Sequence, residues 1–211
     1  MKIKRFVLSE FEMNSYLLIE KDQAILIDAG ASPKPITDYL EENKITLQAI
    51  LLTHTHLDHI AGLSYLREKL SVPVFVEEHE QEWLQNPDYN GSKRLPEYFG
   101  EIKLKPAEQV IKDENSLQIG SFTIQIIRTP GHTPGGISYY IKPYLFTGDT
   151  LFYRSIGRTD LFGGNYHQLL RSIKNQLLTL PTNTTVLPGH GEKTSIGEET
   201  KYNPFLSTMN R

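Results

Sequence analysis

Four side chains that can bind metal ions lie within six consecutive residues of the chain, at His54, His56, Asp58 and His59. Imidazole nitrogen and carboxylate oxygen atoms are suitable ligands for zinc, iron or manganese. Six contiguous residues in a turn cannot direct all four groups at one tetrahedral ion and still leave a position open. Two neighbouring ions fit better, with His54 and His56 on one and Asp58 and His59 on the other. Since the chain has only 7 histidines, a chance cluster is a poor alternative.

Three further candidate ligands lie far along the chain in similar local sequences. His132 lies in Thr-Pro-Gly-His-Thr-Pro-Gly-Gly, Asp149 in Thr-Gly-Asp-Thr and His190 in Leu-Pro-Gly-His-Gly. Each follows a predicted strand and has a glycine beside it, which lets the backbone bend sharply. One such residue alone would as often be a simple turn residue. Their recurrence at several strand ends indicates a shared site.

Short strands and helices must position these residues. Apolar runs rich in β-branched residues predict strands at 3–8, 15–19, 24–27, 48–53, 73–76, 117–119, 122–127, 137–141, 144–147 and 184–187. Helical spacing of apolar residues predicts helices at 33–43 and 59–70, and further helices are expected at 77–84 and 165–178, with a short one near the C-terminus. The His-rich run therefore lies between a strand and a helix. Residues 86–106, rich in Pro, Gly, Asn and Tyr, predict a long loop that is a candidate lid or substrate wall.

The composition is that of an ordinary globular protein and predicts one domain over residues 1–211, of mixed α/β class. The formal net charge of -3, without blocks of like charge, gives no electrostatic reason to expect nucleic acid or an anionic membrane as a partner. The absence of cysteine excludes disulfides, a thiolate nucleophile and Cys-ligated metal sites. Without a signal-peptide pattern or a membrane-length apolar run, we expect a soluble, cytoplasmic protein. The oligomeric state is left open.

The motif set HxHxDH, GHTPG, GDT and PGHG resembles the metallo-β-lactamase superfamily, specifically its glyoxalase II-like (hydroxyacylglutathione hydrolase) branch. The resemblance extends from about Asn14 to Phe205. It implies a four-layer αββα sandwich that holds two divalent metal ions, with zinc favoured and iron or manganese as alternatives. It also implies the ligands: the first ion is held by His54, His56 and His132, the second by Asp58, His59 and His190, and Asp149 bridges both. Asp28 resembles the family's structural aspartate beside the site and is not expected to be a ligand.

The resemblance implies hydrolysis of a thioester similar to S-lactoylglutathione. Two ions that share a water lower its pKa towards neutrality, and the hydroxide formed can attack a carbonyl carbon. Asp58 is expected to orient this nucleophile and accept its proton. A thiolate leaves readily and needs little help from a general acid. Arg158 lies where glyoxalase II enzymes have a lysine near glutathione, so we expect it to bind a substrate carboxylate.

Departures from the family pattern limit the substrate prediction. The C-terminal helical region with which full-length glyoxalase II enzymes bind glutathione is missing, so the chain resembles the short bacterial type. The alternative is a mononuclear iron persulfide dioxygenase, a branch with a Gly-Arg-Thr-Asp segment like Gly157–Asp160. That branch binds its iron through residues matching His54, His132 and Asp149. The Pro-Gly-His-Gly segment at 188–191 favours the hydrolase.

Several other polar and aromatic residues are weaker candidates for a part in the site. His79 is predicted to be a surface residue, and His167 to lie at the start of a helix. Arg154 is a weaker candidate than Arg158 for binding substrate, and either could instead pair with a carboxylate. The aromatic residues Trp83, Tyr89 and Tyr98 are expected to pack in the core or on the surface.

Overall fold

The computed structural model describes residues 1–207, the last of these by its backbone alone. The chain divides into two compact units, each with an apolar core. Unit 1 consists of Met1–Asp113 and Gln118–Thr123, and unit 2 consists of Glu114–Leu117 and the chain from Ile124 onward. The last four residues of the predicted domain 1–211 lie outside the described residues. In residues 1–207, no helix has both the length and the hydropathy that crossing a membrane requires.

The sheet of unit 1 has six strands whose order in space follows their order in the chain. They are β1 (Lys2–Leu8), β2 (Met13–Glu20), β3 (Gln23–Ile27), β4 (Thr46–Leu51), β5 (Val74–Glu77) and β6 (Gln109–Ile111). Pairing is antiparallel from β1 to β3 and parallel from β3 to β6. Because β3 and β4 are parallel, the segments that follow them leave the sheet at the same edge. The five strands predicted in this region are confirmed. The three-residue strand β6 was not predicted, since it is too short to show a pattern.

The helices of unit 1 are α1 (Lys34–Glu42), α2 (Leu57–Ile60), α3 (Leu63–Leu70) and α4 (Pro96–Phe99). Helix α1 is confirmed and buries Ile36 and Leu40, one helical turn apart. The helix predicted over 59–70 is instead divided into α2 and α3. The break contains Gly62, where a Cβ atom would overlap the carbonyl oxygen of Gly30. Close contact between these two backbones therefore requires glycine here.

The predicted helix at 77–84 is wrong. The structure has two short 3-10 turns at Glu78–Glu80 and Glu82–Gln85. The first begins where the Glu77 carboxylate accepts a hydrogen bond from the His79 backbone N–H over 2.7 Å. That local bond competes with a regular helix. The third residue of this turn, Glu80, is fully buried rather than on a solvated face.

The segment 86–106 is mostly irregular, as predicted, but it is closely hydrogen-bonded. It contains a 3-10 turn at Ser92–Arg94 and the short helix α4. The buried Asn90 amide donates to the carbonyl oxygens of Trp83 and Ile102 over 2.9 and 3.0 Å. These bonds join the two ends of the segment, and whether it is a lid or a substrate wall stays a prediction.

Between residues 114 and 207 the structure has eight strands: β7 (Ser116–Ile119), β8 (Phe122–Arg128), β9 (Ile137–Ile141), β10 (Tyr144–Gly148), β11 (Leu151–Phe152), β12 (Ser155–Ile156), β13 (Thr185–Pro188) and β14 (Thr194–Ser195). A second six-stranded sheet has the order β14-β13-β10-β9-β8-β7, and β11 and β12 form a separate hairpin. The five strands predicted here are confirmed. The two-residue strands β11, β12 and β14 were not predicted.

Unit 2 has the helices α5 (Tyr166–Ser172), α6 (Ile196–Tyr202) and α7 (Pro204–Ser207). A wider turn at Ile173–Leu177 continues α5, so the predicted helix at 165–178 is confirmed with a change of winding. Its N-terminus is capped by Asn165, whose side chain accepts from the backbone N–H of Gln168. The short terminal helix is confirmed by α6 and α7.

Candidate metal centre

Unit 1 brings the four candidate ligands of the His-rich run together, with His54 and His56 between β4 and α2 and with Asp58 and His59 in α2. All four side chains are buried. The ring centroids of His54 and His56 are 4.9 Å apart, and those of His54 and His59 are 4.1 Å apart. The Nε2 atom of His59 lies 3.8 Å from Oδ2 of Asp58. The extended backbone before α2 and the first turn of that helix produce this clustering.

Asp28, in the turn after β3, orients two of these histidines. Its carboxylate accepts the backbone N–H of Thr53 over 2.7 Å and the Thr53 hydroxyl over 2.8 Å. It also lies 2.8 Å from Nδ1 of His59, which must donate because an ionised carboxylate only accepts. The Thr53 hydroxyl has given its only hydrogen to Asp28, so it accepts from Nδ1 of His54 at 3.0 Å. In their neutral form both histidines thus have on Nε2 the lone pair that a metal ion needs.

Unit 2 brings the remaining three candidate ligands together. Asp149 follows β10 and lies between the other two, with its Oδ2 3.6 Å from Nε2 of His132 and 3.6 Å from Nε2 of His190. His132 follows β8, and His190 follows β13. The ends of three different strands therefore converge on one carboxylate.

The tautomer of the neutral His132 ring follows from the hydrogen bond that its Nδ1 atom makes. Its Nδ1 atom lies 2.7 Å from the backbone carbonyl oxygen of Arg158. A carbonyl oxygen can only accept, so Nδ1 carries a hydrogen, and in the neutral ring the lone pair is then on Nε2, which faces Asp149. A second partner of this kind commonly sets the tautomer of a metal-binding histidine.

The spacing of the donor atoms fits ligands of a metal ion. Separations of 3.6 to 3.8 Å are too long for hydrogen bonds. Two ligands at zinc-ligand bond lengths and a tetrahedral angle place their donor atoms about 3.4 Å apart. Nitrogen and oxygen donors of this kind are compatible with divalent zinc, iron or manganese. The donor set and its spacing in each unit fit divalent ions and do not distinguish among them.

Gly157, after β12, allows the Arg158 carbonyl to reach His132. Its backbone N–H donates to the carbonyl oxygen of Thr150 over 3.2 Å. A Cβ atom at this position would overlap the carbonyl oxygen of Asp149 and would lie 3.3 Å from Nδ1 of His132. Any larger residue must therefore displace the turn that positions two candidate ligands.

The side chain of Arg158 is engaged with a neighbour. Its guanidinium donates to both carboxylate oxygens of Asp160 over 2.8 Å, and both side chains are exposed. The hydrogen bond to Asp160, with the attraction between the two charges, raises the pKa of Arg158. Arg154 likewise pairs with Glu198 over 3.1 Å. The substrate-binding role of Arg158 stays a prediction.

The remaining histidines lie outside these clusters. His79 is exposed and pairs with Glu77 over 3.0 Å, which confirms the surface prediction. The hydrogen bond to Glu77 raises the pKa of His79. His167 is exposed in the first turn of α5. Trp83 is buried, as expected for core packing, with its ring 6.0 Å from that of His56.

Sequence reasoning missed two groups that hold the His-rich run. The Glu80 carboxylate accepts two hydrogen bonds from Thr55, and the Asn90 carbonyl accepts the backbone N–H of Leu57 over 2.9 Å. Glu80 stands in an acidic stretch that resembles a solvated helix face, and a backbone carbonyl leaves no trace in residue types. Neither contact had a signal in the sequence.

Comparison with known proteins finds the superfamily that the motifs resemble. The family model described as "Metallo-beta-lactamase superfamily" matches residues 10–190. The chain belongs to the metallo-β-lactamase superfamily and has its mixed α/β fold with two sheets, which confirms the predicted fold class. A Bacillus subtilis protein, "Probable metallo-hydrolase YqgX", is 44% identical over 209 residues, covering 98% of each chain. "Hydroxyacylglutathione hydrolase GloC" of Haemophilus influenzae is 32% identical over 217 residues, covering 99% of each.

Solved structures similar to the chain include the following three. BLEG-1, described as a B3 metallo-β-lactamase, has a TM-score of 0.94 and 42% identity over 98% of this chain and 100% of that one. TTHA1623 in a di-iron-bound form has a TM-score of 0.82 and 33% identity over 96% and 100%. ETHE1 from Myxococcus xanthus has a TM-score of 0.78 and 29% identity over 100% and 91%. The chain is a metal-dependent hydrolase of the superfamily, and its His/Asp clusters imply divalent metal ions.

Proposed function

We propose that the protein is a dinuclear thioesterase of the glyoxalase II type, acting on 2-hydroxyacyl thioesters similar to S-lactoylglutathione. The observation that carries the proposal is the pair of His/Asp clusters whose donor atoms are spaced and protonated as metal ligands. The similarity to a hydroxyacylglutathione hydrolase supports this reaction. The similarity to a di-iron-bound structure supports two ions rather than one.

The proposed ligands are all seven residues of the two clusters: His54, His56, Asp58, His59, His132, Asp149 and His190. Bound divalent ions supply a water of lowered pKa and a Lewis acid for the substrate carbonyl. Groups of the chain itself orient the ligands and the attacking water. Asp28, the Thr53 hydroxyl and the Arg158 carbonyl hold three imidazoles in the tautomer whose Nε2 can bind. Asp58 orients the attacking water and accepts its proton.

The proposed substrate is a small thioester with an anionic carrier, and Arg158 is the proposed contact for a carboxylate of that carrier. The guanidinium is exposed and is held in one orientation by Asp160. An arginine held in this way presents its remaining N–H groups at a defined position. A cytoplasmic location, with neither nucleic acid nor membrane as partner, belongs to the same proposal and is tested by fractionation of cells that express a tagged chain.

Two other activities have a specific observation in their favour. The similarity to ETHE1 supports the alternative of a mononuclear iron persulfide dioxygenase. The similarity to BLEG-1 supports hydrolysis of a β-lactam. Both differ from the proposed activity in substrate, and the dioxygenase differs also in metal stoichiometry and oxygen consumption.

The deciding experiment combines metal quantification on purified protein with a substrate panel. About two metal ions per chain and hydrolysis of S-lactoylglutathione or a related 2-hydroxyacyl thioester are the expected results. The panel includes a simple acyl thioester, a chromogenic cephalosporin and glutathione persulfide with an oxygen electrode. A single iron with oxygen uptake would refute the proposal in favour of the dioxygenase. Turnover of the cephalosporin alone would refute it in favour of a lactamase.

A further inference from the structure

The backbone of the His-rich run is held at every second residue. The N–H of Thr53 donates to Asp28, that of Thr55 to Glu80 and that of Leu57 to the carbonyl of Asn90. The residues between them are the candidate ligands His54 and His56, and Asp58 follows Leu57 in α2. Because side chains of an extended segment alternate in direction, fixing one set of positions determines where the other set points.

Glu80 binds Thr55, after His54, much as Asp28 binds Thr53, before His54. The Thr55 backbone N–H and hydroxyl both donate to Oε2 of Glu80, over 2.9 and 2.6 Å. The Thr53 backbone N–H and hydroxyl likewise both donate to Asp28, to its Oδ1 and Oδ2 atoms respectively. His54 thus lies between two threonines, each bound through two donors to a buried carboxylate. Thr55 also directly precedes His56.

Burial makes the Glu80 contact costly unless its bonds are made. Glu80 and Thr55 are both 0% exposed. A carboxylate taken out of water loses its favourable hydration, which only well-formed hydrogen bonds can offset. An apolar residue would pack here at lower cost, so packing alone gives no reason for a carboxylate. Trp83, three residues after Glu80, makes a second contact with the His-rich run, because its ring lies beside that of His56.

We propose that Glu80 is a positioning residue for the metal centre, which sets the directions of His54 and His56 by fixing the backbone and hydroxyl of Thr55. It acts through Thr55. The proposal rests on the proposed function only in requiring that the His-rich run binds metal ions. It adds a residue that lies outside the ligand motifs, 25 positions from Thr55 in the chain.

The test measures zinc affinity by competition with a chromophoric chelator, and stability by thermal unfolding of the zinc-free protein. Glu80→Ala is expected to weaken zinc binding about 10- to 100-fold, the usual effect of removing a group that orients ligands. Glu80→Gln keeps an acceptor oxygen and is expected to restore most of the affinity. Thr55→Val removes only the hydroxyl donor and should give a smaller loss. The losses of Thr55→Val and Glu80→Ala should be non-additive in the double variant.

Glu77→Ala is the matched control, because it breaks the cap of the same 3-10 turn without removing either bond to Thr55. It should leave zinc affinity within about twofold of the parent value. Unchanged affinity in Glu80→Ala, or an equal loss in Glu77→Ala, would overturn the positioning role while leaving the proposed function standing. If Glu80→Ala does not fold, unchanged affinity in a folded Thr55→Val protein overturns it. A parent protein that binds no zinc, iron or manganese would overturn both proposals.

Discussion

The Nδ1 atom of His132 donates to the backbone carbonyl of Arg158 over 2.7 Å, while the Arg158 side chain turns to Asp160. One residue therefore serves two purposes through different atoms. The carbonyl sets the tautomer of a candidate metal ligand, and the guanidinium is the proposed contact for substrate. Because any residue has a backbone carbonyl, the two purposes can be separated by mutation.

Arg158→Ala is expected to leave zinc affinity within about twofold of the parent value, because the carbonyl remains. It should raise KM for an anionic thioester about tenfold, as loss of a charged hydrogen bond to substrate would. Steady-state kinetics and chelator competition measure these two quantities. Asp160→Ala is the control, since it removes the partner of the guanidinium and leaves the carbonyl bond in place. A marked fall in zinc affinity in Arg158→Ala alone would contradict the separation.

Gly157→Ala is expected to damage the centre without touching a ligand. The added Cβ would overlap the Asp149 carbonyl and crowd Nδ1 of His132. Overpacking of this kind costs about 1–3 kcal/mol of unfolding free energy. Urea unfolding measures that loss, and the bound metal per chain should fall with it. Ser155→Ala, in the same hairpin, should change neither quantity, and normal metal content in Gly157→Ala would show that the turn can relax.

Asp58→Asn keeps the shape of the side chain but removes a base. A proposed proton acceptor contributes roughly 10²- to 10⁴-fold to rate, so kcat should fall by a factor in that range. Asp58→Ala removes the ligand as well and should abolish turnover. Far-UV circular dichroism should remain that of the parent in both variants. The exposed Asp38→Asn, which affects only an ion pair with Lys34, is the control. Near-normal thioesterase activity in Asp58→Ala would refute the assigned role.

His79→Ala is expected to change stability with pH but not activity. The Glu77 carboxylate raises the pKa of His79, so the folded state favours the protonated imidazole. The resulting stabilisation is complete below the unfolded-state pKa of about 6.5 and is lost as pH rises through the higher folded-state pKa. The thermal midpoint of the variant should therefore fall below that of the parent at pH 5.5 and equal it at pH 9. Loss of thioester hydrolysis in this variant would place His79 in the site.

The sequence alone determined most of the framework. The strands around the His-rich run were predictable because a short continuous apolar stretch, such as Ala49–Leu52, can be recognised from a few neighbouring residues alone. The ligand candidates were recognisable for the same reason, since four lie in one short run and three follow strand ends beside glycines. The helix at 77–84 was predicted wrongly, because two short 3-10 turns replace it and the first is capped by the Glu77 carboxylate. Local pattern does not report that Glu80 is buried and accepts hydrogen bonds from Thr55.

The tertiary structure decided how the candidate ligands are held. Asp28 and His59 are 31 residues apart, Thr55 and Glu80 are 25 apart, and His132 and Arg158 are 26 apart. Two of these contacts join side chains that could have been ordinary turn or surface residues, and the third uses a backbone carbonyl. Residue types identify which atoms can bind a metal ion. Only the folded chain determines which ring nitrogen keeps its lone pair, because that depends on a hydrogen-bond partner brought from a distant segment.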